Sequence, residues 1–414
     1  MRLTADAAEI AAIAEALARA PLVAFDLEFV SADRLVPLLA LVQVAWVGQH
    51  QSLDAAPAQI VAQVPDVRLV DPLAGDVAPI IRALAAHPCV IAHAPRQDLA
   101  LLATRFGAEL PGLVDTQLMA AFAGHGDQIG YASLANELLG TSLAKDQQWT
   151  SWDKRPLTDA QVAYAEADVR HLPAIYARLA AELGDRLAWV RAETASIGAD
   201  ALAAARVTPE TAWQHVGGAR TLDGDALAAV MALAAWRQRT AIELDRPLGQ
   251  VLGDKSLVEL ARHRPASAGG VRETKGLSPL AKARADAIAG ELAAVKRAPR
   301  GATPGATPGA TAGGPTRAAS MRAQRWAEAL IAIAHVVADE AGVAPRLIAT
   351  RADAEEFARA VDEHGVASPA VAALPALASW RRPLLGEIWV GWLEGRLALV
   401  GDAANPHGVK LVTL

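Results

Sequence analysis

The stretch that most constrains the fold is PLVAFDLEFV, residues 21–30, an apolar run that carries two carboxylates. Read as a strand, it places Asp26 and Glu28 on one face and Phe25, Leu27 and Phe29 on the other, because residues two apart point the same way. Two neighbouring like charges on a core strand are costly. Such a strand needs water, a base or a bound cation beside it.

Residues 38–47, 67–71 and 89–93 read as further strands, and helical patterns follow. One runs over 95–106 and is closed by Gly107; others cover 115–123 and 131–139, and a long one starts near Thr158. Strands first and helices later predict a mixed α/β domain over residues 1–195. A connector over 196–222 leads to helix after helix in 223–298, with Trp236, Leu244, Val251, Leu257, Leu260 and Leu277 as core candidates. Within 299–321, the repeat GATPGATPGATAGG at 301–314 has no capacity to build a core and reads as a linker. Residues 322–414 open as an amphipathic helix and end in Gly-punctuated apolar stretches, which predicts a third, smaller domain.

The length of 414 residues favours such a multidomain division. Aromatic residues make up only 4% and much of the hydrophobicity is alanine, so helix should dominate. The first twenty residues carry Asp6, Glu9 and Glu15 and read as a helix, not a signal peptide. No apolar run approaches the ~20 residues that span a bilayer. Cys89 is the only cysteine, which excludes an intrachain disulfide framework and suits a reducing compartment. A cytoplasmic protein without membrane contact or an obligatory protein partner is expected. The first 200 residues carry 24 acidic against 14 basic side chains, and residues 201–300 carry 15 basic against 10 acidic. Metal-binding carboxylates beside a polyanion-holding module fit that asymmetry, as does ordinary surface variation.

Further acids lie where they could join the first pair. In CVIAHAPRQDLALL, residues 89–102, Pro95 suits a helix start and Asp98 falls near its first turn, where dipole compensation alone would also explain it. In TDAQVAYAEADVRHL, residues 158–172, Thr158 and Gln161 form a capping box, and Tyr164 and Asp168 share a face. A half-buried tyrosine near a surface acid is commonplace. Together, however, four carboxylates without a His or Cys cluster select hard divalent cations, Mg²⁺ or Mn²⁺. Two such ions ~4 Å apart can activate water, hold a phosphate and stabilise a leaving oxygen.

FDLEF at 25–29, HAPRQDLALL at 93–102 and YAEADVRHL at 164–172 resemble the three exonuclease motifs of the ribonuclease D family, in matching order and at similar spacing. These are DEDD 3′→5′ exonucleases of the tyrosine subtype. The resemblance covers residues 20–195 and extends to LVDTQLMAAFAG and to Lys145, Trp152 and Arg155-Pro156-Leu157. WRQRTAIELDRPLGQVLGDKSLVELA is similar to the HRDC domain that follows the nuclease and occurs in RecQ-type helicases; the final segment, with ASWRRPLLGEIWVGWLEG, looks like a diverged second copy. The resemblance implies a ribonuclease H-like α/β exonuclease domain, a mixed sheet flanked by helices, followed by all-α HRDC-type helical domains. It implies that Asp26, Glu28, Asp98 and Asp168 ligate two divalent ions, Mg²⁺ or Mn²⁺, and that Tyr164 orients the attacking water. Hydrolysis would proceed from the RNA 3′ end, releasing nucleoside 5′-monophosphates, with tRNA precursors as the expected substrate.

Leu27 stands where the family commonly has threonine, and Gln97 where an acid often precedes Asp98; neither is a ligand position. The connection over 48–68 is longer than usual, and Ala144 replaces an aspartate before Lys145. Lys145, Lys154 and Arg155 are candidate phosphate contacts, or solvated loop charges. Trp149 and Trp152 could stack on a base or serve packing. Arg237, Arg239, Lys255, Arg262, Arg264 and Lys275 could hold RNA backbone, although no periodic stripe requires it. His93 reads as a strand-end structural residue, His171 as no catalytic base, Asp115 as a helix N-cap, and Pro173 as a break after Asp168. Two other readings stand: a DNA 3′→5′ exonuclease of the same superfamily, and a non-catalytic RNA-binding scaffold. No Walker-type loop is present, so the chain is not itself a helicase.

Overall fold

The computed structural model describes residues 3–48, 63–143, 150–219, 222, 224–295, 320–405 and 408–414. Ala144, Lys145 and Trp149, most of the 48–68 connection and the 301–314 repeat lie outside the described residues. The chain starts with helix α1 (Ala7–Arg19), capped by Asp6, and continues into β1 (Val23–Val30), β2 (Leu38–Trp46) and β3 (Asp66–Val70). Then come α2 (Ala78–Ala86), β4 (Val90–Ala92), α3 (Arg96–Phe106), β5 (Leu113–Asp115), α4 (Thr116–Ala123) and α5 (Tyr131–Leu139). Helices α6 (Asp159–Arg170), α7 (Leu172–Leu183) and α8 (Leu187–Ala205) complete the α/β unit.

The five strands form one mixed sheet in the order β3-β2-β1-β4-β5. Strand β1 is central, antiparallel to β2 and parallel to β4. Its alternation works as expected: Val23, Phe25 and Leu27 enter a core with α1, α2 and α3, and Ala24 enters the core of the opposite face with α4 and α7. Farther along that opposite face, Leu41 and Leu69 pack with Ala165 of α6 and with Trp152. A register shift between Glu28 and Phe29 bends β1 at its acidic end, the usual place for a bulge beside a functional site.

Two local signals of the sequence are realised in the fold. Thr158 and Gln161 close both halves of the capping box, and Gly107 takes the left-handed conformation that ends α3. Pro173 lies in the first turn of α7, and the chain breaks at His171 between α6 and α7.

The sheet has a fifth strand beyond those expected, and α8 runs past the boundary drawn at residue 195. Ile197 and Ala201 of α8 pack into the sheet-side core, so this helix belongs to the α/β unit beyond residue 195. The connector after it is also shared: Ala212, Val216 and Ala219 are buried in the core of the next domain.

That next domain holds α9 (Gly224–Leu244), α10 (Leu248–Val251) and α11 (Asp254–His263), then shorter helices to Ala294. Of its predicted core residues, Trp236, Val251, Leu257, Leu260 and Leu277 are buried, and Leu244, at the end of α9, is only half-buried. The last segment repeats this opening at one constant offset, with helices Met321–Ala341, Pro345–Ile348 and Arg351–His364. Both long helices have 21 residues and both short ones 4. Buried Val251, Leu260 and Ala261 correspond in that offset to buried Ile348, Phe357 and Ala358. After these helices the segment ends differently, in an antiparallel hairpin of Leu397–Gly401 with Val409–Thr413.

The two helical parts attach to the α/β unit by different chemistry. The first meets the β1–β2 loop through exposed polar contacts and one apolar one: Asp245 accepts from Leu35 N at 3.1 Å and pairs with Arg34, Gln250 donates to Asp33 at 2.8 Å, and the half-buried Leu35 packs against the helical core. The last shares one continuous apolar core with α4, α7 and α8. Its polar fastenings include Ala344 N donating to Ala121 O at 3.0 Å, Arg186 donating to Ala341 O at 3.0 Å, Arg381 gripping both oxygens of Glu193 at 2.6 and 3.0 Å, and an exposed ion pair of Arg346 with Asp127 at 2.9 Å.

Candidate active site

Strand β1 offers Asp26 and Glu28 from one pleat face, and α6 lays Asp168 over them. One carboxylate oxygen from each of the three lies within 4.8 Å of the others, and all three residues are half-buried. The fourth acid arrives by the parallel pairing of β4 with β1, which brings the following turn and α3 alongside. Asp98, in the first turn of α3, is buried and close enough for its charge to act on Glu28 and to feel that of Asp26.

The turn that aims Asp98 is strained and fastened. Ala94 has φ 52°, a left-handed conformation that costs about 1 kcal/mol or more outside glycine. Asp115 holds it: the same Oδ1 accepts from Ala94 N at 2.9 Å and from Gln117 N at 2.8 Å. Asp115 is therefore the helix N-cap expected and also the tie between two motif loops. His93 pairs with Thr116 Oγ1 at 2.9 Å and Ile129 O at 3.1 Å, and burial lowers its pKa to about 4. It is a neutral structural residue at the strand end.

Crowded acids carry an electrostatic penalty in the absence of a cation. Burial pushes Asp26 up to about 7. Glu28 rises to about 9 through burial and then the charges of Asp26, Asp168 and Asp98. Asp168 rises to about 8 for the same two kinds of reason, offset by a hydrogen bond from Tyr164. Asp98 is also held well above the ordinary carboxylate range by burial. The Tyr164 hydroxyl, pushed upward by burial and these carboxylates, stays protonated at neutral pH.

The oxygen-only donor set, its closeness and its unmet charge fit hard divalent cations. Among the described residues, no other group of three or more potential ligands gathers in this way.

Two residues at the site escaped the motif reading. Tyr131 donates to Ala167 O at 2.7 Å, immediately before Asp168, and its ring lies 5.7 Å from that of His93. Gln43 on β2 is the cross-strand partner of Asp26 and has no exposed surface. Tyr131 opens a helix after Gly130 and stands outside the three acidic motifs, and Gln43 sits in an apolar run. Only strand pairing reveals the second.

The expected RNA contacts need correction. Trp152 is 1% exposed, packed with Leu41, Leu69 and Ala165, its ring 6.1 Å from that of Tyr164. It has no free face for a base. Arg155 grips both oxygens of Asp71 at 2.7 and 2.6 Å and also donates to Ala40 O and Trp152 O. Arg237 is 4% exposed and donates to Asp254 and Leu252 O. Both guanidinium groups are engaged in internal fastening, which a sequence cannot distinguish from a surface charge. Lys255 is exposed in the first turn of α11, and Lys145 is outside the described residues.

The fold and site define a 3′→5′ exonuclease with an appended HRDC domain: the 3′-5′ exonuclease family model matches residues 1–184, and the HRDC domain model matches 226–286. The chain is 34% identical to ribonuclease D of Acidiphilium cryptum across 98% of its own length and 95% of that protein's. It is 33% identical to ribonuclease D of Gluconacetobacter diazotrophicus across 96% and 94%. The crystal structure of Escherichia coli RNase D superposes with a TM-score of 0.77 at 27% identity, covering 95% of this chain and 99% of that one. The chain belongs to the ribonuclease D family and is a ribonuclease D-like exoribonuclease. No described helix is long and apolar enough to cross a membrane.

Proposed function

We propose that this exoribonuclease trims RNA with a single-stranded 3′ end, tRNA precursors in particular, in the cytoplasm, releasing nucleoside 5′-monophosphates. Asp26, Glu28, Asp98 and Asp168 hold two divalent ions, Mg²⁺ or Mn²⁺. The observation that carries this reading is the convergence of Asp26, Glu28 and Asp168 within 4.8 Å. Bound divalent ions supply charge neutralisation and Lewis acidity at the scissile phosphate.

The chain's own residues do the rest. The carboxylates bind and orient, and the bend at Glu28 and Phe29 sets the spacing of the first pair. Tyr164 keeps its proton and positions the attacking water by hydrogen bonding, with Asp168 as its neighbour on the helix. Tyr131 steadies the backbone that presents Asp168. The repeated helical opening in the last segment supports reading it as a diverged second HRDC-like domain. A substrate with structure near its end agrees with the Escherichia coli homologue, described as an exoribonuclease involved in structured RNA processing.

The test is digestion of a 5′-labelled tRNA precursor bearing an unstructured 3′ tail, with Mn²⁺, Mg²⁺ or EDTA, beside Asp26→Ala. A metal-dependent ladder of shortening products, absent from the variant, is expected. Turnover retained in Asp26→Ala would overturn the ligand assignment, and preference for a matched DNA oligonucleotide would overturn the substrate.

A further inference from the structure

Gln43 breaks the rule that its surroundings obey. It lies in LLALVQVAW, the β2 strand, otherwise wholly apolar, and it has 0% exposure. Among the described residues, neither its amide nitrogen nor its carbonyl oxygen has a hydrogen-bond partner. An unmatched buried polar group keeps its desolvation cost unrepaid, and an apolar side chain of the same length would avoid that cost. A residue that weakens the free protein needs a partner in another state.

The strand ladder names that partner. Asp26 and Gln43 are directly opposite in the antiparallel β1–β2 pair, in its regular part before the bulge. Directly opposed residues share a face with their Cβ atoms ~4.5–5.5 Å apart. Leu41 and Leu69, the neighbours of Gln43 on β2 and β3, pack with Trp152 and Ala165. Leucine side chains thus flank the amide on both strands, and the indole N–H of Trp152 in the same cluster is also buried without a partner. Asp26 in turn is short of donors: the hydrogen bond that stabilises its carboxylate is a backbone one from Leu27. Asp168, by contrast, has the Tyr164 hydroxyl.

We propose that Gln43 is a positioning residue for Asp26: its amide N–H donates to the carboxylate oxygen turned away from the bound cation and fixes which oxygen the cation receives. This rests on the divalent-ion reading of the site. Groups that orient a ligand in this way typically control metal affinity by about 10-fold or more. They do so without touching the nucleic acid.

The experiment uses the full chain and its Gln43→Met variant, which keeps length and volume but removes the amide. Three quantities are read: melting temperature without metal, Mn²⁺ affinity by calorimetry, and RNA turnover as Mn²⁺ is raised. The expected result is a melting temperature equal to or above that of the parent, Mn²⁺ affinity lowered about 10-fold, KM for RNA unchanged, and kcat recovered at high Mn²⁺. Higher stability with weaker metal binding is a combination that mere core packing does not produce. If Gln43→Met fails to fold, Gln43→Asn keeps the polar group one methylene short and carries the same expectation for Mn²⁺. Equal Mn²⁺ affinity in parent and variant overturns the role of Gln43 and leaves the metal site standing. Absence of Mn²⁺ binding by the parent overturns the metal reading itself.

Discussion

The indole rings of Trp189 and Trp380 stack with centroids 5.2 Å apart and planes 14° from parallel, although one lies on exonuclease helix α8 and the other in the last domain. Phe122 meets Trp380 edge-on at 5.1 Å, and the adjacent Arg381 grips Glu193. Truncating a buried aromatic of this kind costs ~3–5 kcal/mol. Trp380→Ala should lower the denaturant midpoint and split one unfolding transition into two, read by circular dichroism and by protection from proteolysis. A single transition at the parent's midpoint would show that the last domain does not brace the exonuclease unit.

The site acids set a direction for pH. Folded values of about 7, 8 and 9 for Asp26, Asp168 and Glu28 stand above ordinary values of 3.8, 3.8 and 4.5. A carboxyl whose pKa is raised by folding imposes no penalty below its unfolded value. The penalty grows as pH rises above that value and levels off beyond the folded one. Metal-free protein should lose stability steadily from about pH 4.5 to pH 9 through these groups, and the rise in melting temperature given by Mg²⁺ should grow over the upper part of that range. Melts at pH 6 and pH 8.5, with and without Mg²⁺, check both signs.

Neutralising one acid should separate folding from catalysis. Asp26→Asn keeps the shape of the side chain and removes the charge that raises Glu28, Asp98 and Asp168. At pH 8 without metal it should melt above the parent, while the Mg²⁺-induced shift disappears and exonuclease turnover falls below detection. Differential scanning calorimetry and a gel assay on the same preparation read the two halves.

Arg155 should prove structural. Its removal leaves Asp71, 6% exposed, without its cation, and breaking one side of a buried pair costs ~3–5 kcal/mol. Arg155→Ala should lose stability by that order in urea unfolding. At a temperature where it remains folded, its KM for RNA should match the parent's.

The chemistry of the site was more legible in the sequence than its supports. Asp26, Glu28, Asp98, Tyr164 and Asp168 stand in short local patterns whose strand or helix period says where each side chain points. Arg155 and Arg237 do not, because whether a guanidinium meets water or a carboxylate depends on residues far along the chain, Asp71 in the first case. Strand β5 is a triplet, Leu113–Asp115, too short to show any alternation. The overrun of α8 past residue 195 was hidden because its apolar residues surround the helix and mark no single face. Gln43 is the instructive miss. A lone amide in an apolar run looks like noise until the register with Asp26 is known.

The two attachments of the helical parts also respond oppositely to ionic strength. Added salt screens the Arg34–Asp245 contact and the charge pairing of Arg246 with Asp33, all of it exposed. The same salt leaves the buried seam around Trp380 intact, and salting-out anions tighten it. The molecule therefore has one shoulder whose charge pairs an electrolyte weakens, leaving the packing of Leu35 to hold it, and one whose apolar seam the electrolyte does not weaken.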